Sequence, residues 1–267
     1  AIPCLLCQAI STLDLGQSFD AALLTSYYAG ALAGFTVGFA GAKFIFGRSN
    51  EDSVAIGFIG LFSNSLLLGL PITEQAYGSD ALTSNYAIIA IHTPFCYAVG
   101  IIAMETVRNA DGAISALPAK VLSAMFKNAI ILGITLGFAV NLSGLVIPTA
   151  IMSALDVVSQ AALPAALFGL GGVLYRYRPD GDLRTIGFIV VVSLGVHPVV
   201  TYALTQALDV PTDGVRSAVI TSAMAPGINV YVFANMYGTA RRVAASAVLF
   251  GTLFCILTTW IWLSVLP

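Results

Sequence analysis

Two stretches of this sequence set amides and helix breakers inside apolar runs, a combination suited to holding a negatively charged solute. The first reads SNSLLLGLPI (residues 63–72), with Asn64 ahead of Gly69 and Pro71. The second reads TSAMAPGINVYVFANMYG (221–238), with Pro226 and Gly227 followed by Asn229. Proline has no N–H and disturbs the carbonyl four residues back, and glycine weakens a helix, so each run is expected to be interrupted. An interrupted helix presents free N–H groups and about half a positive charge at its new N-terminus, which suits a carboxylate. Asn64, Pro71, Pro226 and Asn229 mark the two expected breaks, and if the helices cross there, that point would suit an anion. No Lys or Arg falls in the middle of an apolar run. Dipoles and amides would have to hold the anion, and weak binding follows.

Ionisable groups inside apolar runs are candidates for proton or cation coupling. Here these are Asp156, His92, His197 and Glu74. Asp156 lies about 12 Å inside the end of its helix. Glu74 is near the outer end of its own and reads as a solvated entrance residue. Each histidine also fits a hydrogen-bonded packing role, and His197 precedes Pro198, where a helix distortion exposes carbonyls. Pro3 and Pro164 read as hinges. Cys4 and Cys7 have zinc or redox spacing but sit in an apolar helix with no second pair nearby, so neither metal nor cofactor is expected. Gly30, Gly34 and Gly38 recur on one helix face and read as packing. Gly169, Gly171 and Gly172 follow no strand and are not a dinucleotide loop. Arg176, Arg178, Asp180, Asp182 and Arg184 read as a solvated connection.

The elements that must position these residues are set by composition. Of 267 residues, 58% are hydrophobic and 9% charged, with a mean hydropathy of +0.92. That leaves too little polar surface for a water-soluble fold, and lipid must be the main solvent. A net charge of −2 without a basic run excludes nucleic acid as a partner. The chain divides into nine apolar runs: 1–13, 20–46, 54–77, 83–105, 121–144, 148–174, 185–208, 215–237 and 242–266. They are continuously apolar instead of alternating, which predicts an all-α polytopic membrane protein and not a β-barrel. Lys43, Arg48, Arg108, Lys120, Lys127, Arg176, Arg178, Arg184, Arg241 and Arg242 fall at alternate connections, with only Arg216 on the other side. The connections near 48, 112, 180 and 240 are thus expected to be cytoplasmic, with the C-terminus outside a cytoplasmic (inner) membrane.

Shifting the chain on itself by about 160 residues gives a weak self-match. Ile2-Pro3-Cys4-Leu5-Leu6 falls on Leu163-Pro164-Ala165-Ala166-Leu167, and Tyr77-Gly78 on Tyr237-Gly238. The division is 1–105 as a first repeat, 106–120 as a connecting loop and 121–267 as a second repeat of five helices. The first shows four and a fraction, so about 40 further residues are expected ahead of Ala1. An odd number of spans per copy inverts the second copy, the arrangement of many secondary transporters.

The pieces SNSLLLGLPI, MAPGINVYVFANMYG, LPAALFGLGGVLY (163–175) and AASAVLFGTLFCILTTWIWL (244–263) resemble the auxin efflux carrier family of permeases, whose bacterial members are often called malonate transporters. The resemblance implies ten helices in two inverted five-helix repeats, similar to the bile-acid sodium symporters. It implies a scaffold (1–13 and 121–174) holding a mobile domain (20–105 and 185–266), and a crossover where Asn64, Pro71, Pro226 and Asn229 bind a small organic anion. The implied activity is secondary transport by alternating access, not enzymatic, with a proton or sodium as possible coupling ion and a homodimer through the scaffold as a possible assembly. A sodium-coupled symporter or cation/proton antiporter would want several carboxylates near the crossover, whereas the only adjacent acidic pair is Glu51-Asp52, in a connection. A polytopic membrane enzyme would need an acid, nucleophile or metal set gathered at one depth.

Overall fold

Backbone polar groups in lipid must be satisfied within the chain, and long apolar runs meet that demand by coiling into helices. The computed structural model describes residues 1–108, 129–176 and 182–267, and every regular element there is helical. Stretches long and apolar enough to cross a membrane are Ala21–Ile45, Leu82–Arg108, Thr149–Gly169, Leu183–Ala207 and Arg241–Val265. The chain is a multi-pass membrane protein. Lys120, Lys127, Arg178, Asp180, the connecting loop beyond Arg108 and the start of the 121–144 run lie outside the described residues.

The elements are α1 (Ile2–Ser11), the short α2 (Leu15–Ser18), α3 (Ala21–Ala40), α4 (Asn50–Leu61), α5 (Leu70–Tyr77) and α6 (Leu82–Arg108). After the connecting loop come α7 (Ala129–Ser143), α8 (Thr149–Gln160) and α9 (Ala162–Arg176). The last five are α10 (Leu183–Val191), α11 (His197–Ala207), α12 (Thr212–Ser222), α13 (Asn229–Tyr237) and α14 (Arg241–Val265). Wide π turns continue α3 (Gly41–Ile45), lead into α5 (Ser65–Gly69) and join α10 to α11 (Val192–Val196). The last two stand just ahead of Pro71 and Pro198. A π turn breaks the regular bonding ladder, so a proline lacking its donor fits there without ending the helix.

Two of the expected spans are broken at places other than the sequence predicts. The 148–174 run bends at Ala161 into α8 and α9, because Pro164 has no N–H to give the Gln160 carbonyl. The 54–77 run ends its first half at Leu61, earlier than Gly69 and Pro71 suggest. Pro71 is not the break; it sits in the first turn of α5.

Packing gathers the helices into two groups. In the larger, α3 and α4 touch backbone to backbone: a Cβ on Gly34 would lie 2.3 Å from the Gly60 carbonyl oxygen, so only glycine fits. Phe58 of α4 stacks on Phe233 of α13 with ring centroids 4.0 Å apart. The smaller group is α1 with α7, α8 and α9. There Gly133 admits the Pro3 carbonyl at 2.4 Å from where its Cβ would stand, and the Asn141 amide donates to the carbonyls of Ile10 and Leu13 at 2.9 and 2.8 Å. Aliphatic side chains close the seam between the groups, with Leu6, Ile10 and Ile134 against Leu66, Leu70, Leu82 and Ile89.

At one end of the larger group, Arg48 pairs with Asp182 at 2.9 Å, and Arg108 donates to Glu51 at 2.8 Å and to the Tyr237 carbonyl at 2.7 Å. Asp52 accepts the Ala240 N–H at 2.9 Å. At the far end of α14, Arg216 donates to the Pro267 carbonyl at 2.7 Å. The basic connections at 48, 108, 182 and 240 therefore share one end and Arg216 the other. Between the ends, α14 exposes Leu253, Ile256, Leu257 and Trp260, an apolar face suited to lipid.

Candidate functional site

The two interrupted helices meet. In the first, Phe62 leaves helical geometry (φ −100°, ψ 92°) and Asn64 restarts it as an N-cap, its side-chain oxygen accepting the Leu67 N–H at 3.3 Å. Asparagine at that position competes with the helix before it and closes the one after it. In the second, Pro226 forces the residue before it toward extended backbone, and residues 223–228 stay unwound between α12 and α13. The strands so formed run antiparallel and pair: the Asn64 N–H donates to Ala225 at 2.8 Å, and the Gly227 N–H donates to Phe62 at 3.0 Å. Each break satisfies backbone groups that the other exposes, which is what allows non-helical chain at this depth.

Some donors are left over. The Ser65 and Leu66 N–H groups precede the first full turn of their helix and have no acceptor in it. The Ile228 and Asn229 N–H groups stand likewise at the start of α13, whose next two N–H groups bond the Gly227 and Ile228 carbonyls at 3.0 Å. The Asn64 Nδ2 is buried and without a partner among the described residues. Asn229, the first residue of α13, is half-buried, and its side-chain oxygen accepts from the Tyr97 hydroxyl at 3.4 Å.

Aromatic and hydroxyl groups hold this crossing from behind. The Tyr27 hydroxyl lies 2.7 Å from Ser63 Oγ and 3.5 Å from His92 Nδ1, while His92 Nε2 reaches the Ser63 carbonyl at 3.1 Å. A carbonyl only accepts, so Nε2 carries the proton and Nδ1 faces Tyr27 as acceptor. His92 is thereby hydrogen-bonded to the unwound segment through the Ser63 carbonyl. His197 is fully buried against Tyr27, ring centroids 5.1 Å apart, and neither ring nitrogen has a hydrogen-bond partner among the described residues. Tyr27, Ser63 and Tyr97 were not singled out from sequence. Their signal was a hydroxyl within an apolar run, which many packing residues share.

A cleft of about 1220 Å³ separates α1, α8 and α9 from α5 and α6. Pro71, Glu74, Asp156 and Pro164 line it; Asn64, Pro226, Asn229, His92 and His197 do not. Pro3 lies instead at the α1–α7 contact. Gln8 donates a hydrogen bond to Asp156 across the cleft wall. Asp14 joins Glu74 and Asp156 in the lining, with no Lys, Arg or His among the described residues. These carboxylates, distant in sequence, thus share the cleft, away from Asn64, Pro226 and Asn229. Among the described residues no three His, Cys, Asp or Glu side chains could hold a metal ion.

Comparison with known proteins places the chain in a family. The profile of a family described as membrane transport protein matches residues 1–263. A protein of Rhizobium meliloti (strain 1021), described as "Putative malonate transporter", is 25% identical over 260 residues, covering 97% of this chain and 81% of the relative.

Proposed function

This chain belongs to the membrane transport protein family, and from that premise we propose that it is a secondary carrier for a small organic anion of the malonate class. The observation that carries the proposal is the antiparallel pairing of the two interrupted helices beside the buried, unpartnered amide of Asn64. First-turn N–H groups from two helices and one side-chain amide form a donor set for a carboxylate, and such a set needs no lysine or arginine. The name of the Rhizobium relative supports a dicarboxylate over other anions. Pro71 and Pro226 would act through the backbone, the first by shaping the cleft wall and the second by keeping its strand unwound.

Alternating access would come from the larger helix group moving against α1, α7, α8 and α9, so that the cleft and crossover open to each side in turn. The basic end of the molecule would face the cytoplasm and Pro267 the outside. Reconstituted in proteoliposomes, the parent should take up labelled malonate saturably. Asn64→Ala and Asn229→Ala should each lower uptake at least tenfold while eluting as folded protein. Parent-like uptake by both variants would remove the site.

A further inference from the structure

The charge available at the crossing decides which ionic form of a dicarboxylic acid it can hold. The helical stretch that restarts at Ser65 and helix α13 each offer about half a positive charge at their first turns, about one unit between them. The buried, unpartnered Asn64 amide adds a donor but no charge. Arg108 on α6 and Arg216 on α12 stand at opposite ends of the larger group, paired with Glu51 and Asp213. The titratable side chains around the crossing are Tyr27 on α3, His92, Cys96 and Tyr97 on α6, His197 on α11 and Cys255 on α14. His92 donates from Nε2 to the Ser63 carbonyl and turns Nδ1 to the Tyr27 hydroxyl, the pattern of a neutral ring. Neither ring nitrogen of His197 has an acceptor to hold an added proton among the described residues. The cleft beside Pro71 carries the opposite sign, since Asp14, Glu74 and Asp156 line it with no Lys, Arg or His among the described residues. A doubly charged anion entering there is repelled twice as strongly as a singly charged one.

We infer that the carrier takes its dicarboxylic acid as the monoanion, with one carboxyl ionised and the other still protonated. The ionised carboxylate takes the donors of the crossing, and the neutral carboxyl removes a second buried charge that nothing there would match. The proton then crosses on the solute. It enters bound to an oxygen of the second carboxyl and returns to water when that carboxyl ionises on the far side. Uptake is thereby coupled to one proton while no side chain of the protein gains or loses one. The ionic form so assigned rests on the carrier reading above.

The test compares labelled malonate with labelled malonamate, in which an amide replaces one carboxyl, so that the size is kept and the charge stays single at every working pH. The full chain in proteoliposomes is assayed below saturation, with equal pH on both sides, the voltage held at zero by potassium and valinomycin, and uptake by protein-free vesicles subtracted. Between about pH 6 and about pH 8, malonate uptake should fall about tenfold for each unit, following the monoanion fraction, while malonamate uptake stays within about twofold. A pH dye trapped in the vesicles should report acidification with malonate and none with malonamate. Malonate uptake that holds steady across this range overturns the inference. So does malonamate uptake that falls in parallel with malonate, which would put the proton on a side chain such as His92 or His197, and so does exclusion of malonamate by a protein that takes up malonate. Each of these results is seen only in a working malonate carrier. Absence of uptake of both solutes at every pH would instead strike the carrier reading, and this inference with it.

Discussion

Asn64 uses opposite ends of one amide for different purposes: its oxygen caps the helix leading into α5, and its nitrogen is left buried and unpaired beside the crossing. An unmatched buried donor costs about 1–3 kcal/mol, and a bound carboxylate would recover that cost, which is why this residue carries the binding proposal. Asp182 illustrates the contrasting case of a carboxylate whose partners are all present. It accepts from the Thr185 hydroxyl at 2.7 Å, the Arg184 N–H at 3.0 Å and Arg48 at 2.9 Å. These hold its carboxyl below the usual aspartate range, the Thr185 hydroxyl contributing most. Because the folded value is the lower one, the cap and the Arg48 link are fully present above the ordinary aspartate pKa and are lost only as pH falls through the lower folded value. A carboxyl carbon titration followed by NMR should therefore place Asp182 below ordinary aspartates. Thr185→Val should move the titration upward toward them, and an unmoved curve would reject Thr185 as the main cause.

At the scale of elements, the two interruptions were legible because Pro226-Gly227 and Gly69-Pro71 stand in the middle of apolar runs, but the first was placed some seven residues late. Proline marks the sequence loudly, yet a π turn absorbs Pro71, and the chain actually unwinds where Asn64 offers a better N-cap. The cleft was not legible at all. Asp14, Glu74 and Asp156 come from separate parts of the chain, and only packing brings them to one cleft. The glycine stripe of α3 was read correctly as packing, and its cost of substitution is open to measurement. Gly34→Ala puts a methyl 2.3 Å from backbone oxygen that cannot move aside. It should destabilise by about 1–3 kcal/mol, the usual penalty of overpacking. Gly169→Ala on α9 meets nothing within 4 Å and should be neutral or raise stability by up to about 1 kcal/mol. Thermal midpoints of the two variants in one detergent decide the matter; equal shifts would mean that the α3–α4 contact is looser than described.

For the molecule as a whole, the distribution of strong contacts favours two bodies sliding on a greasy seam. The ion pairs Arg48–Asp182, Arg108–Glu51 and Arg216–Asp213 all lie within the larger helix group, and the Asn85 amide ties α6 to α12 through Thr221 at 2.8 Å. Such ties hold that group together. Across the seam the contacts are apolar, mostly aliphatic with Tyr86 and Phe138 among them, and contacts of that kind are non-directional, so one set of neighbours can be exchanged for another at little cost. Spin labels make the consequence measurable, because the outward faces of both groups carry exposed side chains: Leu142 on α7 is 74% exposed, Leu183 at the start of α10 is 65% and Leu253 on α14 is 59%. Cys7, Cys96 and Cys255 are buried, so replacing Cys4 alone limits background labelling. Labels at 142 and 253 report between the groups, and labels at 183 and 253 report within one. With malonate added, the first distance should shift by about 5 Å, the scale of one helical turn passing another, while the second stays fixed. If both distances held still, or both changed together, the seam would not be the moving surface and the proposed alternating access would need a different hinge.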